Sequence, residues 1–401
     1  MFFFVGFLYE MNFYEVQITL LNKTNRIYKE SNNKMNKMNE INKKIKNKNL
    51  SDARNAKNDE FYTELSEINK ELNYYSDKFK GKTVFCNCDD PFESNFVKFF
   101  LMHFNEYGIK TLYATGYKTS PIINTELKTE KIPYLLCVED TKKYLKGDQT
   151  DLDINSAKLF IEKEEDNVLT QLYGDENYIA GDFRSEESIK ILEKSDIVIT
   201  NPPFSLFREY IALLMKYEKH FLVLGNMNAI TYKEIFPLLK NNKIWLGCNN
   251  GAKEYLVSAQ YAEENPDKVY LKNKKYYAKL GNTGWYTNID HEKRHMMIPL
   301  DLGHKYSGYE SQYPEYDNYN AINIAKISNI PSDYNGIMGV PITFLDKYNP
   351  EQFEIVSCND VRKNEKVPYK EHGLVKDKDG TIDGKACYVR ILIKKKKGNK
   401  K

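Results

Sequence analysis

Asn201-Pro202-Pro203-Phe204 follows the β-branched run "DIVIT" and precedes the helix-patterned "SLFREYI". Proline lacks a backbone donor and biases the residue before it toward extended geometry. Asn201 and Pro202 are therefore held extended, with their carbonyls released from a strand ladder. An amide side chain and a backbone carbonyl can then converge on one small donor, such as an exocyclic amino group. Two acceptors on that nitrogen draw its lone pair out of conjugation with the ring and make it nucleophilic. Phe204 supplies a flat face for a base turned out of a helix. The plainer reading is a Pro-Pro strand terminator without chemistry.

Ligands of open α/β sheets sit at the carboxyl ends of strands. Three further stretches fall at expected strand ends: Cys88-Asp89-Asp90-Pro91, Thr115-Gly116-Tyr117 and Gly181-Asp182-Phe183. Several polar ends in register predict one pocket. The elements that must position them alternate in type. Strands are expected over 82–88, 110–117, 133–139, 178–183, 196–201, 220–226 and 243–247. Between them the apolar spacing predicts helices. The first runs over 59–79 with Thr63 as N-cap, and the second is opened by Ser94 and closed by Gly108. A third has Ser185 as its cap, and two more run over 205–218 and 231–241. Such alternation over about 190 residues predicts a doubly wound α/β sheet. After Gly247 the chain turns rich in Tyr, Asn, Gly and Pro, with weak periodicity, which predicts an irregular or β-rich region. Strand-like stretches return at 339–348 and 384–397.

The chain has 401 residues, 41% of them hydrophobic, enough for two domains or one large domain with an appendage. The net charge of +3 is unevenly spread. Residues 21–58 carry about +8, residues 394–401 add six lysines, and the body from 59 to 393 is left near −9. A nucleic-acid surface would have to be local rather than global. The six cysteines form no CxxC pair and no zinc spacing, which suits a reducing compartment. The apolar start has no basic n-region and is interrupted by Glu10 and Glu15, so it reads neither as a signal peptide nor as a membrane span. The expectation is a cytoplasmic protein with a flexible basic arm over 1–58.

"HEKRH", His291 to His295, fits the H-E-x-x-H zinc-peptidase pattern. That chemistry needs a long, half-buried helix, and "TNID" and "MMIP" leave barely two turns. Lys293 and Arg294 fit phosphate or base contacts better than a metal site. Arg208, just past Phe204, could face a phosphate or pair with a nearby acid.

Asn-Pro-Pro-Phe after a hydrophobic strand resembles the catalytic motif of S-adenosylmethionine-dependent amino-methyltransferases, which act on adenine N6, cytosine N4 or a glutamine amide. Five segments in order narrow this: "DEFYTELSEI", "VFCNCDDPFESNFVKFF", "GDFRSEES", "ITNPPFSLFREYI" and "GVPITFLDKYNPEQFEI". Together, over about residues 55–360, they resemble the EcoRI-type adenine-specific DNA methyltransferases.

The resemblance implies a Rossmann-like methyltransferase sheet over 59–247, a target-recognition region over 248–393 and a basic tail over 394–401. It implies catalysis by Asn201, Pro202, Pro203 and Phe204 on an adenine flipped out of double-stranded DNA. S-adenosyl-L-methionine would be held by Tyr62 and Thr63, by Cys88, Asp89 and Asp90 in a loop without the usual glycines, and by Asp182 and Phe183. The acid usual after the second strand is missing. DNA contacts would come from Arg208, Lys293 and Arg294, with no metal. A monomer is expected, as is a separately encoded restriction endonuclease. The alternatives are an RNA or protein-glutamine methyltransferase, a DNA-binding module without catalysis, and the zinc peptidase.

Overall fold

The computed structural model describes residues 62–116, 133–145, 147–251, 253–257, 262–263, 265–280, 282–300, 304–358 and 380–396. The basic arm expected over 1–58 lies outside them, as does Tyr117. In chain order the first strands are β1 (Tyr62–Thr63), β2 (Thr83–Cys86), β3 (Thr111–Thr115), β4 (Tyr134–Val138), β5 (Leu169–Gln171), β6 (Ile197–Thr200), β7 (His220–Asn226) and β8 (Trp245–Leu246). Between them run helices α1 (Leu65–Leu72), α2 (Asn95–Met102), α3 (Ile154–Lys163), α4 (Glu165–Val168), α5 (Glu186–Lys194), α6 (Phe207–Lys216) and α7 (Phe236–Lys240). Then come β9 (Lys253–Val257), β10 (Val269–Lys272), β11 (Lys275–Leu280), β12 (Thr283–Thr287), β13 (Ile322–Asn323), β14 (Met338–Pro341) and β15 (Phe353–Cys358). The hairpin β16 (Thr381–Ile382) and β17 (Lys385–Ala386) and the strand β18 (Arg390–Lys395) complete the set.

Eight strands form one mixed sheet in the order β5-β4-β3-β2-β6-β7-β12-β8. β3, β2, β6 and β7 are parallel, and antiparallel strands flank them on both sides. The chain leaves β2 in one direction toward β5 and returns to place β6 on the other side. β2 and β6 therefore bracket the switch point, where such sheets bind ligands. This is a Rossmann-like α/β sheet, as the alternating pattern predicts.

The central strands are apolar throughout because both faces are covered. Val84, Cys86, Ile197, Ile199, Leu222 and Leu224 pack with α1, α2 and α3 on one face. Phe85, Val198, Phe221 and Val223 point to the other, where α5, α6 and α7 lie. That second cluster also takes in Val340, Phe344, Phe353 and Ile391. The downstream sheet, ordered β13-β14-β18-β15, thus shares a core with the helices of the main sheet. A third sheet, β1-β9-β11-β10, carries Tyr62 and Thr63 at one edge. No helix among the described residues is long and apolar enough to cross a membrane.

Several sequence expectations change. Residues 178–183 are not a strand: Ile179 makes a lone bridge to Gly174, Gly181 turns at φ 78°, and the Asp182 amide donates to Ile179 (3.1 Å). The alternation "YIAGDF" looks extended, but the chain there folds back on itself. The first helix begins at Leu65, and Thr63 lies in β1 rather than at an N-cap. The helix expected over 231–241 shortens to α7, after a 3-10 turn at Met227–Thr231. Lys394 and Lys395, expected in the tail, belong to β18. β12 sits between β7 and β8, so the boundary expected at 247 cuts through the main sheet.

Two buried polar groups fasten this far edge. Glu71 of α1 is fully buried and accepts the amides of Cys248 and Asn249 (both 2.7 Å) and the Tyr75 hydroxyl (3.1 Å). Burial raises its pKa, and the hydrogen bonds oppose the rise. Gly247 makes room, since a Cβ there would stand 2.3 Å from the carboxylate. His291 follows β12 and bonds through Nε2 to the Leu246 carbonyl of β8 (3.0 Å). Residues Glu292–His295 form one 3-10 turn, not an α-helix, and His295 pairs with Asp290 (2.8 Å). The two histidines of "HEKRH" thus serve different partners.

Glu71→Ala strands the buried Cys248 amide and the part-buried Asn249 amide and should lower the unfolding free energy by about 3 kcal/mol, read from the urea midpoint. Burial holds the His291 pKa below its ordinary 6.5. The unfolded chain therefore takes the proton first, and stability present above 6.5 is lost as pH falls below it. His291→Gln keeps a donor for Leu246 and does not titrate. Its drop in melting temperature between neutral pH and about pH 5 should be smaller than that of the unmodified protein by about 2 °C.

Candidate active site

The loop after β2 is built on side chains rather than glycines. The Asp90 carboxylate accepts the amides of Phe92 and Glu93 (both 3.0 Å), which closes a tight turn. Ser94 caps α2 by accepting the Phe96 amide (3.0 Å), and its hydroxyl donates to Asp89 (2.7 Å). The other Asp89 oxygen accepts the hydroxyl of Thr200, the last residue of β6. Thr200 in turn accepts the Cys88 amide (3.2 Å). One hydroxyl therefore spans the switch point and ties Cys88-Asp89 to the residue before Asn201.

β3 closes the other side. The Asp89 amide donates to the Thr115 carbonyl (3.0 Å), and the Thr115 hydroxyl donates to the Asn87 carbonyl (3.3 Å). Gly116 comes so close that a Cβ would stand 3.0 Å from the Asp90 Cα. The small residue absent from the first loop is thus contributed by the position just past β3.

At the end of β6, Thr200 and Pro202 are buried, while Asn201, Pro203 and Phe204 are half-buried. Pro203 lies at φ −57°, ψ 120°, and its carbonyl accepts the Leu206 amide (3.0 Å) to start the 3-10 turn at Phe204–Leu206. The two prolines do end a strand, and they hand the chain directly to α6. Phe204 packs one side against the α1–α2 core, so its ring is fixed rather than loose.

Among the buried polar atoms near these loops that lack hydrogen-bond partners among the described residues are Thr63 Oγ1 and Asn87 Nδ2. Asn87 is held in place because its Oδ1 accepts the hydroxyl of Tyr210 from α6. Burial lifts the Tyr210 pKa far above the ordinary phenol value, so that hydroxyl stays a donor. Thr63 is fixed through its carbonyl, which accepts the Asn95 amide side chain (2.9 Å). An unmet buried polar group costs about 1–3 kcal/mol, and a bound ligand relieves that cost.

Asp182 and Phe183 sit in the turn before α5 rather than at a strand end. Both Asp182 oxygens face Arg184, through Nε (2.9 Å) and Nη2 (2.8 Å), and Arg184 also reaches Glu209 (3.2 Å). The Phe183 ring is buried edge-on against Tyr210, 5.0 Å between centroids. It stands behind the Asn87–Tyr210 bond instead of presenting an open face.

The three expected DNA contacts are not brought together. Arg208, on α6, is exposed, with its guanidinium 5.3 Å from the Tyr232 ring centroid and 3.9 Å from Glu234. Arg294 lies over Trp245 of β8 (3.9 Å) and bonds Asp290 (3.2 Å). Lys293 donates to the Cys248 carbonyl and lines a cavity of about 420 Å³ with Met296, His304 and Asp346. These last two hold the β8 edge, which β7 and β12 separate from β6.

Asn87, Thr200 and Tyr210 are the residues of this arrangement that sequence reasoning passes over, whereas Gly116 stands among the expected strand ends. Asn87 lies within "VFCNCDDPFESNFVKFF". Thr200 looked like one more β-branched strand residue.

The comparisons with known proteins show the family. A family model described as adenine-specific methyltransferase EcoRI matches residues 49–396. The Type II methyltransferase M.EcoRI of Escherichia coli is 43% identical over 355 residues, which cover 88% of this chain and 97% of the relative. M.MgeORF184P of Mycoplasma genitalium is 37% identical and M.MpnI of Mycoplasma pneumoniae 34%, each match covering 86% of this chain and 97% of the relative. No solved structure matches. With its methyltransferase sheet, its NPPF strand end and a match running nearly end to end, the chain belongs to the EcoRI family of adenine-specific methyltransferases.

Proposed function

We propose that the protein transfers a methyl group from S-adenosyl-L-methionine to N6 of an adenine flipped out of double-stranded DNA. It would do so at a specific sequence, as the modification partner of a separately encoded restriction endonuclease. The observation that carries this reading is the Thr200 hydroxyl, which locks the base-handling motif to the Cys88-Asp89 loop at the switch point. The names of the relatives, all Type II methyltransferases, support DNA as the substrate.

The residues present fit the cofactor. Thr63 Oγ1 and Asn87 Nδ2 are buried and unmet among the described residues, and Gly116 leaves room beside Asp90. Tyr62, Thr63, Asn87, Cys88, Asp89 and Asp90 would hold it, with Asp182 and Phe183 acting from behind through Arg184 and Tyr210. When bound, S-adenosylmethionine supplies an electrophilic methyl group and a neutral sulfur leaving group.

The protein's own work is placement. The Asn201 amide oxygen and the Pro202 carbonyl accept the two N6 hydrogens and localise the lone pair. Phe204 holds the ring flat, and the proton that N6 sheds passes to water. Lining up nitrogen and methyl supplies most of the rate, and extruding the base costs a few kcal/mol. Arg208, exposed one helical turn beyond Phe204, would contact a flanking phosphate. The protein would act as a monomer in the cytoplasm.

Asn201→Ala should lower tritiated-methyl incorporation into duplex DNA by about 100-fold or more. Full activity in that variant would refute the mechanism, and label in RNA or protein but in no DNA would refute the substrate. Thr200→Val keeps the shape but removes the hydroxyl that bonds one Asp89 oxygen and accepts the Cys88 amide. Equilibrium titration should show cofactor affinity lowered about tenfold, with the native fold kept by circular dichroism.

A further inference from the structure

We infer that the β10–β11 hairpin is a DNA-contacting ribbon, with lysines at its tip that meet phosphates and an exposed apolar pair just behind the tip, Leu271 and Tyr276, that enters the groove. The inference rests on the reading of duplex DNA as substrate and adds a surface to it. The hairpin is a built element rather than a loose loop. Its turn residues, Asn273 and Lys274, sit at φ 50° and 62°, the left-handed pair that matches the twist of a two-residue hairpin. The register pairs Val269 with Ala278, Tyr270 with Tyr277, Leu271 with Tyr276 and Lys272 with Lys275.

Alternate pairs share a face. On one face Val269 and Ala278 pack on Tyr255 and Val257 at the base. Two residues further out the same face ends in Leu271 and Tyr276, 64% and 41% exposed. An isolated exposed leucine is ordinary, so the other face has to decide. There Tyr270 stacks on Tyr277, 6.1 Å between centroids, and Lys272 lies 5.4 Å from the Tyr277 ring centroid. Lys272 stands directly opposite Lys275, a like-charge pair that weakens a hairpin standing alone. Lys268 and Lys274 are exposed as well, and Asp267 is the only acid between 265 and 278.

A body near −9 therefore carries a local basic projection. A polyanion relieves the repulsion between Lys272 and Lys275, whereas a second copy of the hairpin would double it. A two-stranded ribbon also has the width that the major groove admits. The sheet that bears the hairpin ends, at its opposite edge, in β1 with Thr63. DNA contact and the proposed cofactor motif thus share one sheet.

The test is the full chain with Lys272, Lys274 and Lys275 all changed to Gln, titrated with duplex DNA across a salt series. Affinity should fall about tenfold or more at low salt, and the slope of log affinity on log salt should shrink by roughly 2 to 3. The KM for DNA should rise in step, with cofactor affinity and melting temperature unchanged. Arg at the same three positions should restore affinity and slope. If the unmodified protein methylates duplex DNA and the Gln variant binds it with the same affinity and slope, the hairpin inference is overturned while the functional reading stands. If the unmodified protein neither binds nor methylates DNA, the functional reading fails first. If the substitutions turn a dimer into a monomer in sedimentation without changing DNA affinity, the hairpin joins two copies and the inference is wrong.

Discussion

One hydroxyl holds the two halves of the site in register. Thr200 donates to Asp89 and accepts from the Cys88 amide, across the place where the sheet changes direction. Strand ends at a switch point diverge, because the loops that follow them leave toward opposite faces. A buried bond between those ends counters the divergence. Its geometry is fixed from both sides: Ser94 and Thr115 hold Asp89, and the prolines fix the chain just beyond Thr200. The loop and the strand end behave as one rigid unit. Rigidity of this kind suits a reaction whose barrier is lowered mainly by alignment.

The same economy explains the missing glycines. A glycine-rich loop lets backbone approach a ligand closely, at the cost of entropy in the unfolded chain. Here the turn is closed by carboxylates and a serine instead, and close approach comes from Gly116, just past the end of β3. Two of the unmet polar atoms among the described residues, Thr63 Oγ1 and Asn87 Nδ2, belong to residues fixed through other atoms. They are set in place before anything binds.

Much of this was legible in the sequence, for physical reasons. Short apolar runs rich in β-branched residues and bounded by turn residues, such as "IVIT" before Asn201-Pro202, fit strands covered on both faces, so the central sheet and its helices could be read off. The candidate site could be located where residue type is restrictive, as in Asn201 and the two prolines that follow the end of β6. It was not legible where a common residue has an uncommon job. Thr200 has the β-branched shape that any strand favours, and only the fold brings Asp89 to its hydroxyl. "YIAGDF" alternates like a strand, but Gly181 permits a turn that pattern alone does not reveal. Lys293 and Arg294 looked like nucleic-acid contacts by charge, yet a neighbouring carbonyl and the Trp245 ring engage them.

β12 reaches the main sheet only after the chain has gone out through β9, β10 and β11. It then pairs with β7 over residues 283–287 and separates that strand from β8. Recombination that joined this chain to a foreign partner at residue 248 would carry off an inner strand of the main sheet along with everything downstream. The downstream region therefore cannot be inherited as a cassette. Changes there have to accumulate residue by residue, within a region that stays covalently threaded through the main sheet.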